Sequence, residues 1–215
     1  MLKLVFPLIL GVVSVVYLVS LFFKQGILQA LLKGALAPLI LAVYVFGAEK
    51  ILVPVILALI FGGVGDVLLL NGSDFRFFKF GLASFLIGHI CYIIAMYGFA
   101  RPFNIIALVI SIAAAVCIGL LLFKIIRPTA DMKIPIIAYE ITILIMVIFA
   151  LQLFLAQDFS FGAFVLAGSL CFLVSDSTLA FDTFRKRLKY GPFIIMFTYI
   201  AAQVLIALGF CKAGI

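Results

Sequence analysis

The chain has 215 residues, of which 68% are hydrophobic and only 11% charged, more apolar surface than a water-soluble domain of this length can bury. Its formal net charge of +7 does not point to nucleic acid, because the basic residues fall mostly in short connections between apolar runs, where they act as topology signals and lipid-headgroup contacts. Apolar runs of about 20 residues suit helices that cross the hydrocarbon core, and the short alternating segments of a transmembrane barrel are absent.

The pattern predicts an all-α integral membrane protein with eight spans, at roughly 4–23, 27–47, 51–70, 77–99, 104–125, 134–156, 161–183 and 191–211. The connections are too short for a soluble domain, so residues 1–215 are read as a single transmembrane domain. The first run, MLKLVFPLILGVVSVVYLVSLFF, starts like a signal peptide. It is too long for an h-region and no small-x-small cleavage site precedes Lys24, so it is read as a retained span.

The second span carries Lys33, with Pro38 beyond it, and the third carries Asp66 in FGGVGDVLLL. In the fourth, GHICYIIA holds His89 and Tyr92. The fifth has no charge before Lys124. The sixth opens YEITILIM, with Tyr139 and Glu140. The seventh ends FLVSDSTLAF, with Ser175, Asp176 and, one residue on, Asp182, and the eighth holds Tyr199 and Gln203 in YIAAQVLI. The four cysteines all lie in apolar runs and are read as buried small hydrophobes.

Orientation follows from the basic residues. Lys3, Lys50, Arg101 and Lys212 fall on one side of the membrane; Lys24, Arg76, Lys79, Lys124, Arg127, Lys133, Arg185, Lys186, Arg187 and Lys189 fall on the other. The ten-to-four bias predicts that both termini are non-cytoplasmic. A repeat is also visible: Val64-Gly65-Asp66-x-x-Leu69 echoes Val174-Ser175-Asp176-x-x-Leu179 at an offset of 110 residues and four spans. This suggests a four-plus-four duplication with parallel halves.

Ionisable groups inside spans are expensive, about 2.5–3.5 kcal/mol for an Asp or Lys at the helix centre on insertion scales. In the predicted orientation Lys33, Asp66, Glu140 and Asp176 all lie within about 10 Å of the cytoplasmic ends of their helices, at about 1.5 Å per residue. Tyr199 and Gln203 are one turn apart on one face, as are His89 and Tyr92. Lys33 and Asp182 can snorkel to the interface, and Glu140 can pair with Lys133 or Lys33. His89 can serve as packing. A short aspartate has no such escape, which singles out Asp66 and Asp176. One histidine and four apolar cysteines do not make the usual zinc sites, and no metal or cofactor is expected. No GxSxG motif supports an acyl-transfer triad.

Taken together and in order, Lys33 followed by Pro38, GDVLL, GHICYIIA, YEITILIM, FLVSDSTLAF and YIAAQVLI resemble the YhhN family of eight-span membrane proteins, whose characterised members are lysoplasmalogenases. The resemblance implies hydrolysis of the vinyl-ether bond of a lysoplasmalogen to a fatty aldehyde and a glycerophospho-alcohol. A vinyl ether is opened by acid: protonation of its β-carbon gives an oxocarbenium ion, water adds, and the hemiacetal collapses. One carboxyl group must supply a proton, and another must steady the cation or take a proton from water. Asp66 and Asp176 in one low-dielectric site provide both, as the paired carboxylates of glycosidases do.

Lys33 is the expected partner of the lipid phosphate. Tyr139, Tyr199 and Gln203 are expected to position water, with Glu140 as a third titrating group, His89 as a donor to one aspartate or as packing, and Tyr92 and Ser175 in support. The partners implied are a lysophospholipid and the surrounding membrane lipids. The site would open to the cytoplasmic half, of the inner membrane in a bacterium. Two other classes fit the intramembrane carboxylates: a proton-coupled lipid carrier, and a lipid hydrolase acting on ester or amide bonds.

Overall fold

The computed structural model describes residues 2–23, 26–71 and 75–213, so Lys24, one of the predicted topology residues, lies outside the described residues. Eight helices form in the expected order: α1 (Leu2–Ser20), α2 (Ile27–Gly47), α3 (Val53–Leu69), α4 (Phe75–Tyr97), α5 (Ile105–Ile126), α6 (Lys133–Ala156), α7 (Phe159–Phe184) and α8 (Gly191–Cys211). Seven are long and apolar enough to cross a membrane; α3 is apolar but has only 17 residues. A proline in its first turn sets where α3 begins, since Pro at that position costs no helical hydrogen bond. Asp66 therefore falls in its last turn. The chain is a multi-pass integral membrane protein.

Because every helix is apolar on most sides, burial is set by neighbours rather than by polarity. Among the described residues α4 and α8 hide the most surface, whereas α5 buries only Ile126 and turns a row of exposed Ile, Val and Leu side chains outward. Apolar side chains exposed in this way meet lipid at no cost. Cys117 belongs to that outer face of α5; of the four free cysteines only Cys91 is buried. The helix is hydrophobic all round, so its sequence does not distinguish its two sides.

The packing repeats on moving four helices along the chain. α1 packs on α2 as α5 does on α6, α2 on α3 as α6 on α7, α3 on α4 as α7 on α8, and α2 on α8 as α6 on α4. Small residues bring the backbones of the tightest pairs together: a Cβ at Gly88 would stand 3.2 Å from the Ala58 carbonyl oxygen of α3, and one at Gly168 would stand 2.9 Å from that of Ala202 in α8.

Two connections are tied down by aspartates. Asp182, 5% exposed, accepts a hydrogen bond from the Leu188 amide at 2.6 Å and lies 3.4 Å from Arg187. It organises the α7–α8 turn rather than reaching for the interface. Asp131, in the α5–α6 connection, accepts a hydrogen bond from Thr129 at 2.8 Å and pairs with Lys79 of α4 at 3.2 Å. The Thr129 hydroxyl and the Lys79 ammonium hold its exposed carboxyl below the ordinary range.

Candidate active site

Two clusters of polar side chains run from the end of the bundle where α2 and α6 begin and α3 and α7 finish to the middle of α4 and α8. In the first, α2, α3, α4 and α8 each contribute. Asp66 is 3% exposed and accepts a hydrogen bond from the Tyr199 hydroxyl at 2.7 Å. The Lys33 ammonium stands 3.6 Å from its other oxygen. Gln203 donates to the Tyr199 hydroxyl at 3.2 Å and accepts from Tyr92 at 2.5 Å. The result is a continuous chain from Tyr92 through Gln203 and Tyr199 to Asp66 and Lys33. Gly62, one helical turn before Asp66, leaves room for it: a Cβ there would fall 2.5 Å from the Gln203 amide nitrogen and 3.3 Å from the Tyr199 hydroxyl.

In the second cluster Asp176 of α7 accepts a hydrogen bond from Tyr139 of α6 at 2.6 Å. The Nε2 of His89, on α4, stands 3.7 Å from the same carboxylate oxygen, beyond a direct hydrogen bond. Ser175 turns away and donates to the Ile195 carbonyl at 3.1 Å, pinning α7 to α8 beside the aspartate. Phe172 lies between the two clusters, its ring 4.9 Å from that of His89 and 5.8 Å from that of Tyr199.

The two aspartates thus belong to neighbouring clusters in different settings. Asp66 faces a cation and a phenol. Asp176 lines a partly open pocket between α4, α5, α6 and α7, whose wall is mostly apolar: Leu122 and Ile126 of α5, Ile143 of α6 and Leu173 and Leu179 of α7 are among its members, with Tyr139 and Ser177 as polar neighbours. Glu140 lines the same pocket. It has neither Lys133 nor Lys33 as a partner; it is 9% exposed, and its Oε1 has no hydrogen-bond partner among the described residues. A shallow groove continues from this pocket between α5 and the end of α7, past Ser177, Thr178 and Phe181 to Leu188.

Lys33 is placed beside Asp66, not at the pocket, and this is the main departure from the roles anticipated for the polar set. The α5 residues were not anticipated at all. Nothing in IIALVISIAAAVCIGLLLF is polar enough to draw attention; Gly119, whose missing side chain leaves a Cβ position 3.9 Å from Glu140 Oε1, was the one available signal. Among the described residues no group of three or more His, Cys, Asp or Glu side chains is placed to hold a metal ion.

The arrangement offers one partly buried carboxyl group in a largely apolar pocket, fixed by a phenol, with a second, buried carboxyl group on the same wall. That set can move protons to and from an apolar substrate screened from water. The profile of the YhhN family matches residues 28–210. The chain is 34% identical over 158 residues to a human protein named lysoplasmalogenase TMEM86B, over 74% of this chain and 63% of the relative. The pig protein of that name is 31% identical over 151 residues, 70% of this chain and 60% of the relative. A lysoplasmalogenase of Mycobacterium tuberculosis is 31% identical over 194 residues, 86% of this chain and 71% of the relative. The chain therefore spans about three-fifths of the length of the mammalian relatives it matches. No solved structure matches it.

Proposed function

The chain belongs to the YhhN family, and from that membership and the setting of Asp176 we propose that it hydrolyses the vinyl-ether bond of lysoplasmalogen-type lysophospholipids. The observation that carries the reading is that Asp176 lines an apolar pocket while its counterpart Asp66 is paired with Lys33. Acid cleavage of an enol ether needs a proton donor in contact with an apolar chain. Asp176 meets that need, and relatives named lysoplasmalogenases make the bond type specific.

In this reading the alkenyl chain enters from the bilayer between α5 and α7 and lies along Leu122, Ile126 and Leu179. Asp176 gives its proton to the β-carbon of the enol ether. Tyr139 holds one oxygen of Asp176, fixing the carboxyl rotamer against the pocket. Asp66, Lys33, Tyr199, Gln203 and Tyr92 are positioning residues that brace α2, α3, α4 and α8 behind it.

Lys33 is engaged with Asp66, so the phosphate falls to the basic residues at the rim. Arg127 directly follows the pocket residue Ile126, and Lys189 directly follows Leu188 of the adjoining groove. The ten-to-four distribution of Lys and Arg supports placing this rim on the cytoplasmic side.

The test is aldehyde release by purified, detergent-solubilised protein from an alkenyl-lysophospholipid, with the ester-linked analogue and Asp176→Asn in parallel. Aldehyde from the vinyl ether alone, abolished by the Asn change, is the expected result. Binding without product would overturn the reading in favour of a proton-coupled lipid carrier, and fatty acid from the ester without aldehyde in favour of an ester hydrolase.

A further inference from the structure

Of the two carboxyl groups that line the pocket, Glu140 is the one that the bracing networks leave unused. Its Oε1 is buried without a hydrogen-bond partner among the described residues, and such a group is destabilising unless it is kept for a ligand or a water. It follows Tyr139, the residue that binds Asp176, and both carboxyl groups line the same pocket. Across from it, α5 has Gly119, where a Cβ would stand 3.3 Å from Leu144 Cδ1 and 3.9 Å from Glu140 Oε1. The glycine keeps open a space beside the carboxylate that any larger residue would occupy.

Resting on the vinyl-ether reading, we infer that Glu140 is the base that activates the hydrolytic water, so that the working carboxyl pair is Asp176 and Glu140 rather than Asp176 and Asp66. The steps balance. Asp176 enters as the acid and transfers its proton to the β-carbon; the α-carbon becomes an oxocarbenium ion and Asp176 a carboxylate. Water adds to the α-carbon through its oxygen, and Glu140 takes the proton it releases. In the hemiacetal so formed, the hydroxyl proton passes to Asp176 as the C=O bond of the aldehyde forms. The bond to the glycerol oxygen breaks in that same step, and Glu140 returns its proton to that oxygen. Both groups regain their starting states, with one water consumed.

Asp66 is less suited to this work. Its two oxygens already face Tyr199 and Lys33, and a water held there would have to displace one of them.

The experiment compares wild type, Glu140→Gln, Glu140→Ala and Asp176→Asn in detergent, using an alkenyl-lysophospholipid as substrate and its saturated alkyl-ether analogue as a binding probe. Glu140→Gln is expected to lower kcat by about 100-fold, the usual scale for losing a general base, with KM and analogue affinity within about threefold of wild type. Glu140→Ala is expected to regain at least about tenfold of its lost turnover when formate is added as a replacement base, while Asp176→Asn stays silent with formate. Glu140→Gln retaining kcat within about threefold of wild type would overturn the assignment, yet leave the vinyl-ether reading standing if Asp176→Asn were dead. Loss of analogue binding in Glu140→Gln together with no formate rescue of Glu140→Ala would likewise overturn it, by making Glu140 a packing residue. No aldehyde from wild type would remove the vinyl-ether reading itself.

Discussion

Asp66 and Asp176 are 110 residues apart and each accepts a hydrogen bond from a tyrosine hydroxyl, Tyr199 at 2.7 Å and Tyr139 at 2.6 Å. The same 110-residue shift carries Tyr199 back onto His89, and these two residues stand beside the two aspartates in turn. The symmetry is broken at Lys33. Its counterpart is Ile143, which lines the pocket in front of Asp176. One half of the protein gives its aspartate a cation and the other gives it an apolar opening. The two phenols also come from unequal positions, since Tyr139 falls on Gln29 under the same shift, but the cation is the difference that separates the two carboxylates in charge.

Removing the cation should therefore cost stability before anything else. Lys33→Met leaves the 3%-exposed Asp66 without its compensating charge, and breaking a buried ion pair from one side costs about 3 kcal/mol or more. The double variant Lys33→Met/Asp66→Asn should recover most of that loss. Thermal midpoints of the two variants in detergent check this; equal destabilisation would mean that the pair is not coupled.

Tyr139→Phe keeps the ring but deletes the donor to Asp176. That bond strengthens as Asp176 gives up its proton and becomes a carboxylate, and a hydrogen bond to a charged group is worth about 1.5–3 kcal/mol, so kcat/KM for aldehyde release should fall by about 10- to 100-fold with the fold intact. An unchanged kcat/KM would show that Asp176 does not depend on the phenol for its orientation.

At Gly168 an added methyl group meets the Ile206 side chain at 2.7 Å and, behind it, backbone that has little room to give, 2.9 Å from the Ala202 carbonyl oxygen and 3.0 Å from the Ile206 nitrogen. Gly168→Ala should separate α7 from α8 and destabilise the protein by about 1–3 kcal/mol, measurable as a lowered thermal midpoint. Gly119→Ala should leave stability near wild type, because its Cβ would have only contacts at 3.3 and 3.9 Å. Its expected effect is on turnover, by crowding Glu140.

The orientation is checked by labelling single cysteines placed in opposite connections of a protein whose native cysteines are replaced. Thr129→Cys, in the α5–α6 connection, should react with an impermeant maleimide only after the cytoplasmic face is exposed. Asp158→Cys, between α6 and α7, should react from outside. The reverse pattern would invert the protein and move the pocket rim to the other leaflet.

Much of this was readable in the residues because lipid makes polarity conspicuous. In a run such as FGGVGDVLLL an aspartate needs a reason, and each polar side chain in the two clusters stood out in that way. Periodicity placed Tyr199 above Gln203 correctly, since one helical turn separates them. Helix faces do not, however, state which helix stands opposite. The capture of Lys33 by Asp66 depends on how α2 packs on α3, and Lys33 by itself looked equally ready for a phosphate. The apolar walls were hidden for a different reason. Where every residue is hydrophobic, nothing in Leu122 or Ile126 separates a side chain that faces lipid from one that faces a cavity, and only Gly119 marked the place.

A helix that turns most of itself to the membrane and yet closes one side of the pocket makes the bilayer part of the machinery. α5 packs on α6 and α7 and buries only Ile126, so few protein contacts hold it and the surrounding lipid would share in keeping that wall in place. Ordered, saturated acyl chains should hold that wall shut and slow access, and disordered chains should let it yield. Turnover in vesicles should then track acyl order across lipid mixtures, a dependence that vanishes in detergent and that a preformed, protein-walled cavity would never show.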